Sequence, residues 1–280
     1  GGALLAFLLR RVSPAEVAAG LRRADPALVA LTVATGLAVT VLRALRFGFF
    51  FPPGRERRLG LYGVFALFRL LKLALPLHSG ELALLALLKR HGLSPTIAET
   101  VPVWLLLRAT DLVAISLILS GALAAVDARP EVELVRWLLL AGAAGLAALL
   151  FVPDRWLERA AGGFGDAGWL AGRLAAVHAG VRRARQRGRI LATLSTSVVL
   201  WLLMAATATF AQLAFASPLR FEQCLAAAVV SQALSMLPIH APLGIGTDDA
   251  IWTGMLVAFG MPLGGAVALA LAVRATLIGT

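Results

Sequence analysis

The sequence is dominated by apolar stretches that are long enough to cross a lipid bilayer. A membrane-spanning helix takes about 17–25 residues, and stretches near this length occupy residues 28–51, 59–77, 101–126, 134–152, 190–216, 221–237 and 262–278. Hydrophobic residues form 60% of the chain and charged residues 15%, whereas about a quarter of a soluble domain is charged. We therefore predict an all-α polytopic membrane protein.

Positively charged residues are concentrated between these apolar stretches. The net charge is +11, and the longest polar interval, 153–189, is rich in arginine. Because short arginine-rich loops stay on the cytoplasmic side of a bilayer, we predict that this interval is a cytoplasmic loop, amphipathic and suited to an anionic lipid surface. The same rule explains the charge without nucleic acid, which we do not expect as a partner.

The motif LPLHSGE interrupts the second apolar stretch and predicts a broken helix. Residue 59 follows arginines that we place in the cytoplasm, and Lys89 is placed there as well. The residues between the break and Lys89 form only about 15 Å of helix, which is about half of a bilayer. We therefore predict a re-entrant hairpin over 59–88 that enters from the cytoplasm and is broken at Pro76 and Gly80.

The motif LPIHAPLGIGTDD gives the second half of the chain a similar break. It interrupts an apolar stretch that returns from the opposite side of the membrane. We predict a second re-entrant hairpin over 221–258, with breaks at Pro238, Gly244 and Gly246. In transporters, interrupted helices in two inverted repeats mark a binding site at the bilayer midplane.

The two hairpins divide the chain into halves of opposite orientation. We predict one transmembrane domain over 1–280, with a first repeat at 28–126 and a second at 190–280, whose hairpins meet near the midplane. The first and last residues read as parts of helices, and we expect a cut helix at each end.

Charged residues also lie within or beside the apolar stretches, where each costs roughly 2.5–3.5 kcal/mol at the bilayer centre. They are Arg69, Lys72, Glu81, Arg108, Asp111, Asp248, Asp249 and Arg274. The balance of cations and anions predicts pairing in a protein interior or a wet cavity. Arg108 and Asp111 are three residues apart and can pair locally. Arg69 and Lys72 repel each other unless an anion lies between them.

These charges predict a site for a lipid headgroup. The positive ends of two half-helices, with Arg69 and Lys72 nearby, suit a phosphate. Glu81 and Asp249 fall in the first turns of the half-helices, where they either cap the helix or contact the headgroup. Earlier in the chain, Arg43 and Arg46 either snorkel to the cytoplasmic surface or guide a headgroup inward.

His78 and His240 follow the two prolines and complete the candidate headgroup set. They suit hydrogen-bonded interior positions better than ligand or proton-relay roles. Their spacing from the acids does not match a metal site, and the chain has no nucleophile elbow, Walker loop or dinucleotide fingerprint. We expect no catalytic residue, metal or cofactor, and hence no enzyme.

Together these motifs resemble the lysylphosphatidylglycerol synthase transmembrane family, also known as the flippase-like domain family. The motifs occur in the family's order: LPLHSGE, RATDL at 108–112, PLGIGTDDA at 242–250, and Arg274. The family shows Pro-x-Arg-x-Gly-Glu at the first break, where this chain has His78 in place of the arginine. At the second break it shows Gly-x-Gly-x-x-Glu, and Asp249 replaces the glutamate.

Two further family patterns are altered in this chain. An Arg-Trp pair near the end of an early span is present as Arg46-Phe47, and Glu-Arg-x-x-Asp is present with Leu107 in place of the glutamate. The acid at 249 keeps its charge. The change at His78 replaces a permanent cation by a side chain that titrates, which bears on the identity of the headgroup.

The resemblance implies a multi-pass protein of the bacterial inner membrane that binds an anionic lipid and translocates it between leaflets. Two alternatives stay open. The chain is a non-transporting partner of a lipid-modifying or glycosyl-transferring enzyme, or it is a membrane transferase that acts on a lipid-linked substrate. A homo-oligomer and an enzyme partner are both compatible with the sequence, which names neither the lipid nor an energy source.

Overall fold

The structure is a computed structural model, and it describes residues 22–51, 54, 57–74, 79–93, 97–126, 130–151, 182, 189–215, 217–234 and 247–279. The described residues form helices and no strand, which confirms the all-α prediction. The helices are α1 (Pro26–Gly48), α2 (Arg58–Ala74), α3 (Ser79–Arg90), α4 (Ile97–Val126), α5 (Pro130–Phe151), α6 (Ile190–Ala214), α7 (Phe221–Leu234), α8 (Thr247–Ala258) and α9 (Leu263–Gly279).

Several helices have the length and composition of membrane spans. Among the described residues, Pro26–Gly48, Thr100–Ala124 and Ile190–Ala214 are long and apolar enough to cross a bilayer, and three shorter apolar segments lie in α7, α8 and α9. The chain is therefore a membrane protein with several apolar helices. The basic interval 153–189 lies outside the described residues except at positions 182 and 189.

Helix α1 begins sharply because Asp25 caps it. The Asp25 carboxylate accepts hydrogen bonds from the backbone N–H groups of Ala27 and Leu28 at 2.8 and 3.3 Å. Pro26 occupies the first helical position, where the missing N–H costs nothing. These two residues fix the start of the first long apolar helix.

Helices α1 and α6 form an antiparallel pair along their whole length. The backbone N–H of Asp25 donates to the carbonyl of Ala214 at 2.9 Å, and the hydroxyl oxygens of Thr207 and Thr35 lie 2.9 Å apart in the middle. The end of α1 lies against the start of α6, as the contacts of the next subsection show. Small and hydroxylated side chains allow this close approach between apolar helices.

Helix α4 runs parallel to α6 and packs against it. Val103 and Leu106 share a hydrophobic cluster with Ile190, and two turns further Ala114 shares one with Leu200. These relative directions agree with the topology predicted from the loop charges, in which both helices leave the same side.

Helices α2 and α3 form a hairpin at the end of α1. The guanidinium of Arg57, just before α2, donates to the carbonyl of Gly92, just after α3, at 2.9 Å. Gly92 has φ +63, a conformation that glycine adopts without strain. Apolar residues of α2 and α3 pack with the end of α1 in one cluster: Ala44, Phe47, Leu61, Val64, Phe65, Phe68, Leu84, Leu88 and Leu93. With 12 residues, α3 is only about 18 Å long.

Helices α7 and α8 form a second hairpin at the end of α6. One cluster joins the end of α6, the start of α7, the end of α8 and α9: Ala211, Leu219, Cys224, Leu256, Met261, Ala266, Leu269 and Val273. The two hairpins thus open at opposite ends of the α1–α6 pair. This arrangement agrees with the inverted-repeat hypothesis, whose symmetry and membrane re-entry stay predictions. The breaks at 75–78 and 235–246 lie outside the described residues.

Candidate functional site

A buried polar network joins α1, α4 and α6. Arg46 Nη2 lies 2.9 Å from Asp111 Oδ1, and it donates to Ser197 Oγ at 2.7 Å and to Thr110 Oγ1 at 3.4 Å. The approach to Asp111 is an ion contact rather than an aligned hydrogen bond. Arg46 is 3% exposed and Asp111 7%, so both charges have left water and stabilise each other.

This network corrects two predictions about charged residues. Asp111 pairs with Arg46 of another helix, and not with Arg108 of its own, because α4 presents Asp111 towards the junction of α1 and α6. The guanidinium of Arg108 lies over the ring of Trp104, 5.6 Å from its centre. Arg46 does not snorkel to the surface, since its side chain is held inside.

Arg43 lies one turn before Arg46 on α1, and other charged side chains act on it. Its Nη2 donates to Met204 Sδ at 3.2 Å, a weak acceptor. The charged groups close enough to act on it are Arg46, Arg69, Arg108 and Asp111. We call Arg43, Arg46, Arg69 and Arg108 the arginine cluster. Among the described side chains here, the four arginines outnumber the one carboxylate, Asp111. That carboxylate is already in contact with Arg46.

Arg69 brings the first hairpin to the middle of α1. Its Nη1 donates to the backbone carbonyl of Gly36 at 2.9 Å and approaches Thr40 Oγ1 at 3.4 Å. Gly36 and Thr40 lie near the centre of the 23-residue helix α1. Twelve residues of α2 separate Arg69 from Arg57 at the open end, which is about 18 Å. Arg69 therefore reaches about half the depth of the first span, whereas Arg43 and Arg46 lie nearer the end of α1.

Met204 connects this cluster to the second hairpin. The side-chain amide of Gln232 donates to the carbonyl of Met204 at 2.8 Å, while the sulfur of the same residue contacts Arg43. Gln232 lies two residues before the end of α7 and its break. The first hairpin thus contributes Arg69 to the arginine cluster, and the second hairpin is linked to it through Gln232 and Met204.

A second ion pair joins the two predicted headgroup residues Asp249 and Arg274. Arg274 Nε donates to Asp249 Oδ1 across α8 and α9, and Asp249 is 1% exposed. Asp249 is the third residue of α8, so it lies in the first turn, as predicted. Its charge is balanced by Arg274 in addition to the helix N-terminus.

The remaining predicted site residues have only partial descriptions. Gly80 and Glu81 lie in the first turn of α3, where the sequence placed them. The side chains of Lys72, Glu81 and Asp248 are not among those described, and His78, His240, Pro76, Pro238, Gly244 and Gly246 lie outside the described residues. Their roles stay predictions.

The predicted site set omitted Arg43, Arg46, Ser197, Met204 and Gln232. The two arginines carried a signal, because they are charges three residues apart inside an apolar stretch. The other three carried none, since a serine, a methionine and a glutamine in apolar helices do not reveal which helix they face.

Comparison with known protein families identifies a match over nearly the whole chain. A family model described as the lysylphosphatidylglycerol synthase TM region matches residues 1–278. No curated protein and no solved structure matches the chain.

Proposed function

This chain belongs to the lysylphosphatidylglycerol synthase transmembrane family, and from that premise we propose that it binds an anionic membrane lipid and moves it between leaflets. The family supports a lipid-related membrane protein. Binding and translocation are inferred from the arginine cluster. We further propose that the protein crosses the bacterial inner membrane several times.

The arginine cluster is the observation that carries this proposal. Cations at the centre of a membrane helix are costly, and they face a protein interior or a wet cavity where an anion can reach them. Guanidinium groups match the oxygens of a phosphate with parallel hydrogen bonds. Since α1, α2 and α4 each contribute arginines, a phosphate at this position would hold the first hairpin against two long helices.

The members of the cluster differ in how firmly they are held. Arg46 is fixed by Asp111, Ser197 and Thr110, so we assign it a structural role. Arg43 contacts the soft sulfur of Met204, and a phosphate oxygen is a much stronger acceptor for it. We therefore assign first contact with the phosphate to Arg43, with Arg69 and Lys72 contributing from the hairpin.

The other predicted residues complete the proposed mechanism. The N-termini of α3 and α8 face the headgroup phosphate, and Glu81 and Asp249 either order the two tips or bind a cationic part of the headgroup. The acyl chains stay in lipid, so the site needs to accommodate only the headgroup. No covalent step is part of this proposal.

A leaflet-sidedness assay tests the function. The protein is reconstituted in vesicles that carry a fluorescent anionic phospholipid, and transfer is followed by quenching of the outer leaflet. We expect Arg43→Gln and Arg69→Gln to slow transfer at least tenfold, and Lys72→Gln to do the same. Arg136→Gln is the matched control, because Arg136 pairs with Glu133 at the start of α5, away from the cluster.

Two results would overturn the proposal. Unchanged transfer in the cluster variants, with correct folding, would remove the arginine cluster from the mechanism. Formation of a modified lipid by the purified protein would instead assign it a transferase activity.

A further inference from the structure

Three buried hydroxyl groups in the second half of the chain do not use their own helix backbone. Serine and threonine in apolar helices usually donate to the carbonyl one turn earlier, and Thr193, Ser197 and Thr207 do so at 2.8, 3.0 and 2.7 Å. In contrast, the hydroxyls of Thr209, Ser231 and Thr253 have no hydrogen-bond partner in the described part of the chain. The three residues are 0, 3 and 5% exposed.

The register of α6 and α7 places two of these hydroxyls in one stretch. The amide nitrogen of Gln212 donates to the carbonyl of Cys224 at 2.9 Å, and that of Gln232 donates to the carbonyl of Met204 at 2.8 Å. These bonds fix an antiparallel register. Thr209 and Ser231 fall between them, in a region where Ala205, Ala208 and Ala226–228 are also buried.

Helix α8 brings the third hydroxyl to the same region. Thr253 lies one turn before Leu256, which belongs to the hydrophobic cluster that contains Cys224. Thr253 therefore lies about one turn closer to the tip of the second hairpin than this cluster does. The side-chain oxygen of Gln212 also lacks a partner among the described residues and is fully buried. We call Thr209, Gln212, Ser231 and Thr253 the neutral polar patch.

The chemistry of this patch selects a class of ligand. Hydroxyl groups donate and accept, and the Gln212 oxygen accepts, so the patch complements another set of hydroxyl groups. A phosphate would need cations, which lie in the arginine cluster. An ammonium group would need a carboxylate, and the nearest acid of α8, Asp249, is paired with Arg274. Buried polar atoms of this kind are costly unless a ligand or an ordered water uses them.

Along α7, the patch ends beside a residue that is linked to the arginine cluster. Ser231 precedes Gln232, whose amide is bonded to Met204, and the sulfur of Met204 contacts Arg43. We propose that the neutral polar patch binds the hydroxyl-bearing, uncharged part of a lipid headgroup, a polyol or sugar, while the phosphate of that lipid lies in the arginine cluster. This inference rests on the proposed function and narrows its substrate to hydroxylated anionic lipids.

A pair of lipids with equal charge tests the inference. Phosphatidylglycerol and phosphatidylmethanol carry the same single negative charge and can have identical acyl chains, but the methyl ester lacks the hydroxyl groups. We measure the affinity of the purified protein for each lipid by competition with a fluorescent phosphatidylglycerol. We expect about a five- to tenfold preference for phosphatidylglycerol, which corresponds to one or two hydrogen bonds.

Substitutions then locate the preference. The double variant Thr209→Val, Ser231→Ala should bind both lipids equally and fold normally, because it removes hydroxyls that bond to no described residue. Thr193→Val is the matched control, since its hydroxyl bonds to the carbonyl of Arg189, and the preference should persist. Arg43→Gln should lower the affinity for both lipids by the same factor.

The outcomes separate this inference from the function on which it rests. Equal affinity of the wild-type protein for both lipids, with binding still dependent on Arg43, would overturn the inference and leave the proposed function standing; the patch would then hold water. A preference that survives in the double variant would overturn it as well. If neither lipid binds, both proposals fail.

Discussion

Removal of the Asp111 carboxylate, the ion partner of Arg46, should destabilise the protein more than loss of the Arg43 guanidinium does. In Asp111→Ala, the guanidinium of Arg46 stays buried at 3% exposure without its counter-charge. Breaking one partner of a buried ion pair typically costs about 3–5 kcal/mol. Arg46 keeps its bonds to Ser197 and Thr110, which soften the loss, so we expect about 3 kcal/mol.

The matched double variant gives the reasoning its sharpest test. Arg46→Met with Asp111→Leu removes both charges and fills the site with apolar volume, which is often neutral or stabilising. The double variant should therefore be more stable than Asp111→Ala by about 2 kcal/mol. Reversible unfolding by sodium dodecyl sulfate in mixed micelles measures the free energy of unfolding of each variant.

Two outcomes would refute this account. A loss below about 1 kcal/mol in Asp111→Ala would mean that the site admits water and that Arg46 is not desolvated. A double variant no more stable than Asp111→Ala would mean that the pair contributes net stability that apolar side chains do not replace, contrary to the desolvation argument. Arg43→Gln is the internal comparison and should cost less than 1 kcal/mol, because it loses only a contact with sulfur.

Two further predictions concern the hairpins. Gly92→Ala should loosen the open end of the first hairpin at a cost of about 1 kcal/mol or more, because residue 92 has φ +63 and an added Cβ would lie 3.1 Å from the Arg57 guanidinium. Hydrogen exchange of the α3 amides measures this loosening, and unchanged protection of α3 would contradict the prediction. Arg274→Gln should destabilise the protein, because the buried Asp249 carboxylate loses the positive charge of Arg274. Adding Asp249→Asn should restore part of the lost stability. The free energy of unfolding of the single and the double variant decides between these outcomes.

The membrane character and the helix boundaries at the breaks could be predicted because they depend on local features. Long apolar stretches set the spans, and Glu81 and Asp249 lie in the first turns of α3 and α8, as the two broken motifs indicated. These features need only neighbouring residues, so one sequence is sufficient to find them.

The partners of the charges could not be predicted in the same way. A spacing of three residues brings Arg108 and Asp111 to one side of a helix, but it does not say whether a closer cation arrives from elsewhere. Arg46 arrives from a helix 65 positions earlier in the chain, because α1, α4 and α6 pack together there. Ser231 and Thr209 were equally hidden, since burial and the register of α6 and α7 are tertiary properties.

The antiparallel contact of α1 with α6 limits how the molecule can change shape. Polar bonds join the two helices at both ends and in the middle, at Ala214, Thr207 and Ser197. Sliding or rotation of α1 along α6 by one turn would break all three at once, and nothing in apolar surroundings would replace them. These contacts favour a fixed arrangement of α1 against α6. Alternating exposure to the two sides of a membrane would therefore come from hinge motion of the hairpins about a fixed central axis.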